Sequence, residues 1–272
     1  MPVISTNTAA NTAVRYLNVN SAQESSSLAK LSSGSKINKA SDDAAGLAIS
    51  TRISSDITTL QQAATNASQA SSILQTADGG ASNISDILAR MKSLATQASS
   101  GTVTDDSRAY IDSEFTQLVA EIDSIASGTR YSSTSLLNGD FTDTAIMVGT
   151  DSTDTITMSL ANLTSTSLGF STSSTIGTQT AATAMLTTID SAIDTVSGAR
   201  ADIGALESRF NFSADSISTQ TENLEAANSA ITDVDIAAEQ AKLSASEVKV
   251  QAAVSAESAA NQMPQYLLKL LG

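Results

Sequence analysis

The chain has 272 residues, no cysteine, no histidine and no tryptophan, and a formal charge of −14. Those absences exclude disulfides, Cys/His zinc sites, thiol nucleophiles and every catalytic triad built on imidazole. Aromatics are 3% and the apolar set is mostly Ala, Ile, Leu and Val, which suits thin helix-to-helix seams better than a thick globular core.

Charge is unevenly spread. Residues 1–40 carry four cations and one anion, 41–232 seven and 22, and 233–272 three and five. So acidic a body argues against nucleic acid as a partner. No apolar run reaches the roughly 18 residues that span a bilayer, so membrane insertion is not expected. The opening "MPVISTNTAANT" has neither the charged nor the apolar region of a secretory leader, and composition alone places the chain in the cytoplasm.

In chain order, the first 31 residues carry a poor helical seam: Val3, Ala10, Val14, Leu17, Ser21, Glu24, Leu28 and Leu31. Two polar residues sit in it, so the helix is marginal alone and needs a partner. "LSSGSKINKASDDAAGLAIS", residues 31–50, is then densely punctuated. Gly34 reads as a helix C-cap, and Ser41 before Asp42 and Asp43 reads as the next helix start.

From Ile49 to Ala98 apolar residues recur at a mean spacing of 3.5, the coiled-coil period. Gly79 and Gly80 weaken the middle of this run and predict a kink. A second helix is expected near Thr104, with seam Ile111, Phe115, Leu118, Ile122 and Ile125. Residues 141–180 are Ser/Thr-rich, and "TAIMVG" and "DTITMSL" read as a β-hairpin with irregular connection around it.

The periodic pattern returns from Met185 through Ile189, Val196, Ile203, Phe210 and Ile217 to Ile231 and Val234. Asp233 and Asp235 interrupt it and mark a joint. A last seam, Ala238, Ala241, Ala245, Val248 and Ala252, leads to "NQMPQYLLKLLG", where Pro264 is expected to stop or kink the helix. A 50-residue helix is about 75 Å long. A compact globule of this chain length has a radius of gyration of roughly 18–19 Å. The expectation is a rod.

The catalytic candidates dissolve on inspection. Ser27/Lys30 and Ser246/Lys249 make S-x-x-K spacings on helices, without the companion motifs of that chemistry. The paired acids Asp42/Asp43 and Asp105/Asp106 sit at helix starts, where anions meet the positive end of the dipole. No phosphate loop occurs, and no cofactor is expected. What remains is an acidic rod with weakly patterned ends of mildly opposite charge, which suggests subunits packing side by side.

At these motifs the sequence resembles bacterial flagellin over essentially its whole length. "VISTNTAANTAV" is similar to the family's opening, and "LSSGSKINKASDDAAGLAIS" to its signature at the inner-to-outer domain joint. "MVGTDSTDTITMSL" resembles its hairpin, and "AEQAKLSASEVKVQAAVSAESAANQMPQYLLKLLG" its closing segment. The resemblance implies a mainly α fold: an elongated coiled-coil-like rod with a small β-hairpin region, plus an inner domain of paired N- and C-terminal helices. Residues 1–40 and 233–272 would form that channel-lining inner domain. Residues 41–140 and 181–232 would supply the rod helices, and 141–180 the hairpin and connection.

The implied spoke between the domains holds Gly34, Lys36, Ile37, Asn38, Ser41, Asp42 and Asp43. Inner-domain packing would rest on Val14, Leu17, Leu28, Leu31, Ala241, Ala245, Val248, Ala252, Leu267 and Leu268. Only about 40 residues separate the helical thirds, so the variable outer domains of many flagellins are absent.

The implied function is a self-assembling structural subunit of the flagellar filament, not an enzyme. It would leave by type III export and work outside the cell. Its partners would be copies of itself, hook-associated junction and cap proteins, an export chaperone and, through Arg90, Leu94 and Glu114, a host Toll-like receptor. A hook–filament junction protein, whose ends are weakly similar, and a soluble coiled-coil binding module are the alternatives.

Overall fold

The computed structural model describes residues 6–171 and 173–271, with the side chains of 264 and 267–271 left aside. Five helices occur among the described residues: α1 (Thr8–Ser33), α2 (Ala44–Ser99), α3 (Asp105–Gly128), α4 (Gln179–Thr232) and α5 (Ile236–Leu271). Two antiparallel strand pairs accompany them, β1 (Arg130–Tyr131) with β2 (Thr134–Ser135) and β3 (Thr144–Met147) with β4 (Thr155–Met158). The chain folds as two compact units, residues 58–221 and residues 1–57 with 222–272, and each boundary falls inside a helix.

In the unit of residues 58–221 the 3.5-residue period does its expected work. Leu60, Ala67, Ala70, Leu74, Ala77, Ala81, Ile84, Leu88, Met91, Ala95 and Ala98 of α2 are all buried. So are Phe115 and Ile122 of α3 and Ile189, Val196, Ile203, Phe210 and Ile217 of α4. As the α2 position falls from Ser99 to Lys92 to Asp78, its polar partner on α4 advances from Gln179 to Asp190 to Arg200. That is antiparallel pairing in one register. Gly79 and Gly80 do not end the helix: α2 is helical through both.

The turn from α2 into α3 is held by Arg108, which is buried. Its Nε donates to the Ala98 carbonyl at 2.7 Å, its Nη2 to the Ser100 carbonyl at 2.9 Å, and its Nη1 to Asp105 at 2.6 Å. A cation thus satisfies carbonyls at the negative end of a 56-residue helix, where the dipole favours it. Thr104 caps α3 through Ser107 N–H, with Asp105 and Asp106 in the first turn as the sequence implies.

The hairpin β3–β4 pairs Ile146 with Ile156, as expected for "TAIMVG" and "DTITMSL". The connection after it is less passive than its composition suggests. Leu160, Leu163, Leu168, Phe170 and Ile176 are all buried, and Phe170 meets Phe115 edge to face at 6.3 Å. The short β1–β2 pair was not foreseen; Ser132, at φ 58°, makes its turn.

In the other unit, α1 and α5 pair antiparallel. Asn7 meets Ala260, Ser27 meets Glu239, and Gly34 meets Val234. The expected faces need correction here. On α5 the stripe turned to α1 is Glu239, Leu243, Ser246, Val250, Ala253, Glu257 and Ala260, while Ala241, Ala245, Val248 and Ala252 are exposed. On α1, Leu17 and Leu31 are half-buried in the seam, but Val14 and Leu28 face outward. Leu28 is 58% and Val248 69% exposed. Two stripes run along α5; the outward one is free of charged residues, so the period selects it, although the stripe that meets α1 is the one carrying Glu239, Ser246 and Glu257. Val3 lies outside the described residues, as do the side chains of Leu267 and Leu268.

Candidate functional site

Two joints, α1 to α2 and α4 to α5, are bound to each other. Gly34 ends α1 in the left-handed conformation, at φ 71°, which a residue without Cβ adopts cheaply. Beyond it Lys36 N–H donates to the Thr232 carbonyl at 2.6 Å and Val234 N–H to the Gly34 carbonyl at 3.1 Å. Ser35 Oγ also donates to the Thr232 carbonyl at 3.1 Å. The interruption at Asp233 and Asp235 is therefore the joint that the sequence implies, and Asp235 caps α5 through Ala238 N–H.

The start of α2 differs in detail from expectation. The helix begins at Ala44, and Asp43, not Ser41, is its N-cap: Asp43 Oδ1 accepts from Gly46 N–H at 2.9 Å. Ser41 is exposed in a turn closed by Asp42 N–H donating to the Lys39 carbonyl. Asp42 Oδ2 accepts from the Asn38 and Lys39 amides at 3.1 and 3.0 Å, and these bonds hold its carboxyl below the ordinary range. Ile37 is buried, and a Cβ at position 46 would meet its Cδ1 at 2.8 Å and the Asp43 carboxylate closer still. A larger residue at 46 would displace the Ile37 end and the Asp43 cap. Lys36 and Lys39 are exposed.

Along the α1–α5 seam a polar node replaces apolar packing. Ser27 Oγ donates to Glu239 Oε1 at 2.7 Å, and Lys242 Nζ donates to Glu239 Oε2 at 2.9 Å. The hydrogen bond from Lys242, then the one from Ser27, lowers the Glu239 pKa, so a buried carboxylate stays charged. The serine of one S-x-x-K spacing is thus a structural donor.

At the far end of the seam Pro264 lies inside α5, which does not stop there but continues to Leu271. Proline has no N–H, so the carbonyl four residues back, Ala260, loses its helical donor. Asn7 Nδ2 donates to that carbonyl at 2.8 Å, while Asn7 Oδ1 accepts from Ala10 N–H at 3.0 Å and caps α1. One amide closes both defects, 253 residues apart.

This pairing has a distinctive test. Asn7→Asp keeps the cap but loses the donor, and is expected to cost the pair about 1–2 kcal/mol. In a Pro264→Ala background the helical N–H returns, and the same change should cost under about 0.5 kcal/mol. Thermal depolymerisation of filaments followed by circular dichroism measures both legs of the cycle. Equal costs in the two backgrounds would break the link.

Arg90 and Glu114 are exposed and paired, with Arg90 Nε and Nη2 both on Glu114 Oε1 at 2.9 and 2.7 Å. Leu94 is in the core, 2% exposed. Among the described residues no group of three or more His, Cys, Asp or Glu could hold a metal ion, and no helix is long and apolar enough to cross a membrane.

With this geometry in view, comparison with known proteins is decisive. Residues 4–142 match the bacterial flagellin N-terminal helical region, and 186–271 the bacterial flagellin C-terminal helical region. The chain belongs to the flagellin family. Flagellin from Halalkalibacterium halodurans is 34% identical over 270 residues, covering 99% of each chain. The flagellar filament 33 kDa core protein of Treponema phagedenis is 34% identical over 284 residues, again covering 99% of each. Such mutual coverage leaves no room for large outer domains, and this is a short flagellin.

The crystal structure of Bacillus cereus flagellin superposes with a TM-score of 0.51 at 31% identity, covering 60% of this chain and 94% of that one. A putative flagellar hook-associated protein from Vibrio parahaemolyticus reaches 0.58 at 16% identity, covering 70% and 99%, a likeness of fold alone. This flagellin is a structural subunit of the flagellar filament, and the junction-protein alternative is not favoured.

Asn7, Ser27, Glu239, Gly46 and Arg108 carry the joints and were not singled out for these roles from the sequence. A signal existed for one of them. A proline inside a helical pattern always leaves a carbonyl four residues back in need of a donor, and a capping-type Asn at the other terminus can supply one.

Proposed function

We propose that the α1–α5 pair is the polymerising element of this flagellin and is only half-built in a lone chain. One observation carries the reading. The pair turns mostly small and polar residues inward, among them Ala10, Ser27, Glu239, Ser246, Ala253 and Ala260, with Leu243 the one buried leucine and Leu17, Leu31 and Val250 half-buried. It turns bulky apolar residues outward: Tyr16, Val19 and Leu28 on α1, and Ile236, Val248 and Tyr266 on α5. A helix pair that exposes its best apolar surface gains most of its burial from neighbours.

Ordering costs roughly 1–2 kcal/mol per residue, which the polar seam alone does not offset. Residues 1–40 and 233–272 therefore stay disordered in the monomer and become the paired, channel-lining helices when copies surround them. Hydrogen exchange tests this. Amides of α1 and α5 should exchange freely in dilute monomer and slow on the order of a hundredfold or more in filaments. Protection already present in the monomer would defeat the reading.

The family also supports a route and a set of partners: type III export to the cell exterior, an export chaperone before it, and hook-associated junction and cap proteins at the filament ends. The exposed Arg90–Glu114 pair offers a host Toll-like receptor a charged contact, with buried Leu94 supporting the helix beneath it.

A further inference from the structure

In the unit of residues 58–221 the two bulky side chains left most open to solvent are Tyr110 of α3, 81% exposed, and Phe212 of α4, 76% exposed. Each sits in a row of charged residues at helical spacing. On α3, Asp106, Tyr110 and Glu114 stand four residues apart, so they share one face about 6 Å from one another along the axis. Glu114 is bound there by Arg90, whose remaining N–H groups stay available. On α4, Arg209, Phe212 and Asp215 stand three residues apart, about 4.5 Å per step, and all three are exposed. Arg209 takes no ion-pair partner among the described residues; of the unit's other cations, Arg90, Lys92, Arg108 and Arg200 do, and Arg130 instead donates to the Ser127 carbonyl.

The two rows are complementary in order: cation, ring, anion on α4 against anion, ring and the Arg90-capped anion on α3. We propose that the Arg209–Phe212–Asp215 row of one copy docks on the Asp106–Tyr110–Glu114 row of the next. In that contact Phe212 covers Tyr110, Arg209 meets Asp106, and Asp215 meets Arg90. The rows are different surfaces of one chain, so the contact is heterologous, the type that generates an open helical polymer when its rotation does not close a ring. Burying both rings removes the largest exposed apolar groups of the unit from water, and aromatic and Arg residues are the usual anchors of such patches. Opposite charges at each end fix the direction of docking.

The proposal rests on the filament-subunit reading, and wild-type protein with sheared filament seeds is therefore measured first. Wild type that fails to elongate seeds refutes that reading, not this surface. Given normal wild-type growth, Arg209→Glu, Asp106→Arg, Phe212→Ala and Tyr110→Ala should each slow seeded elongation by roughly tenfold or more. Their unfolding midpoints as monomers should stay near wild type, since all four side chains are exposed.

Arg209→Glu combined with Asp106→Arg in one chain rebuilds the contact between these two positions with its charges exchanged, leaves the other contacts as they are, and should recover most of the rate. An equimolar mixture of the two single variants should also grow faster, in alternation, than either does alone. Unchanged elongation by the single variants overturns the proposal and leaves this face to a different protein. A combined variant no faster than its worse parent also overturns it, because the two charges then do not meet.

Discussion

A fragment of residues 41–232 is expected to stay folded and to form no filaments. The continuous apolar core of the larger unit runs from Ala67 to Phe210, so trimming both ends removes none of it. Trimming does remove α1, α5 and all of the bound joint except Thr232, whose carbonyl loses Lys36, while Gly34 and Val234 are both cut away. Most of the outward-facing apolar residues of the terminal pair go with them. If those residues supply the burial that drives polymerisation, the fragment keeps only the contact between its α3 and α4 rows, which alone does not sustain a lattice. Limited proteolysis with purification of the resistant core, followed by circular dichroism and seeded assembly, measures both halves of the expectation. Filaments of normal length from the trimmed chain would refute it.

Phe115→Ala is expected to be the costliest single truncation, at about 3–5 kcal/mol. Its ring has no solvent exposure and stacks edge to face on Phe170, which comes from the irregular connection after the hairpin. Removing it leaves a cavity between a helix and a segment held only by a short turn of its own, from Thr164 to Phe170. The loss reaches past one side chain: Asp112, one turn earlier, accepts from Ile176 N–H at 2.6 Å and Thr175 Oγ1 at 2.8 Å, so α3 and the connection are pinned together twice. Urea unfolding followed by helical signal gives the cost, and a change under 1 kcal/mol would show that the connection repacks. Exposed Tyr110, on the same helix, supplies the contrast at within about 0.5 kcal/mol.

Much of this architecture is legible in the sequence where one face of a helix is plainly more apolar than the others. The seam from Leu60 to Ala98 and the one from Ile189 to Ile217 are of that kind. The joint at Asp233 and Asp235 is legible because two acids break a long period. The α5 seam is not, because its α1-facing stripe carries Glu239, Ser246 and Glu257 while an outward stripe carries Ala and Val. Periodicity finds the apolar stripe, and here that stripe faces away from the partner helix. Ile49 continues the heptads of α2 yet is 53% exposed. The segment after the hairpin looks like connection since its five buried residues follow no period. Pro264 misleads because a side chain 257 positions earlier supplies the hydrogen bond that the ring forfeits.

The pairing of α1 with α5 also sets a clock on the chain's own synthesis. The first helix is complete at Ser33, but its partner starts at Ile236, about two hundred residues later. At roughly 5–20 residues per second, α1 waits on the order of 10–40 s on the ribosome with no cognate surface anywhere in the nascent chain. Every contact that defines the pair is therefore of very high contact order, and closing it is the last step the topology permits. The helices of residues 58–221 meet across far shorter separations and are complete before that step begins. For those seconds an apolar terminal segment is available to any protein that binds extended chains, and the fold itself supplies the delay.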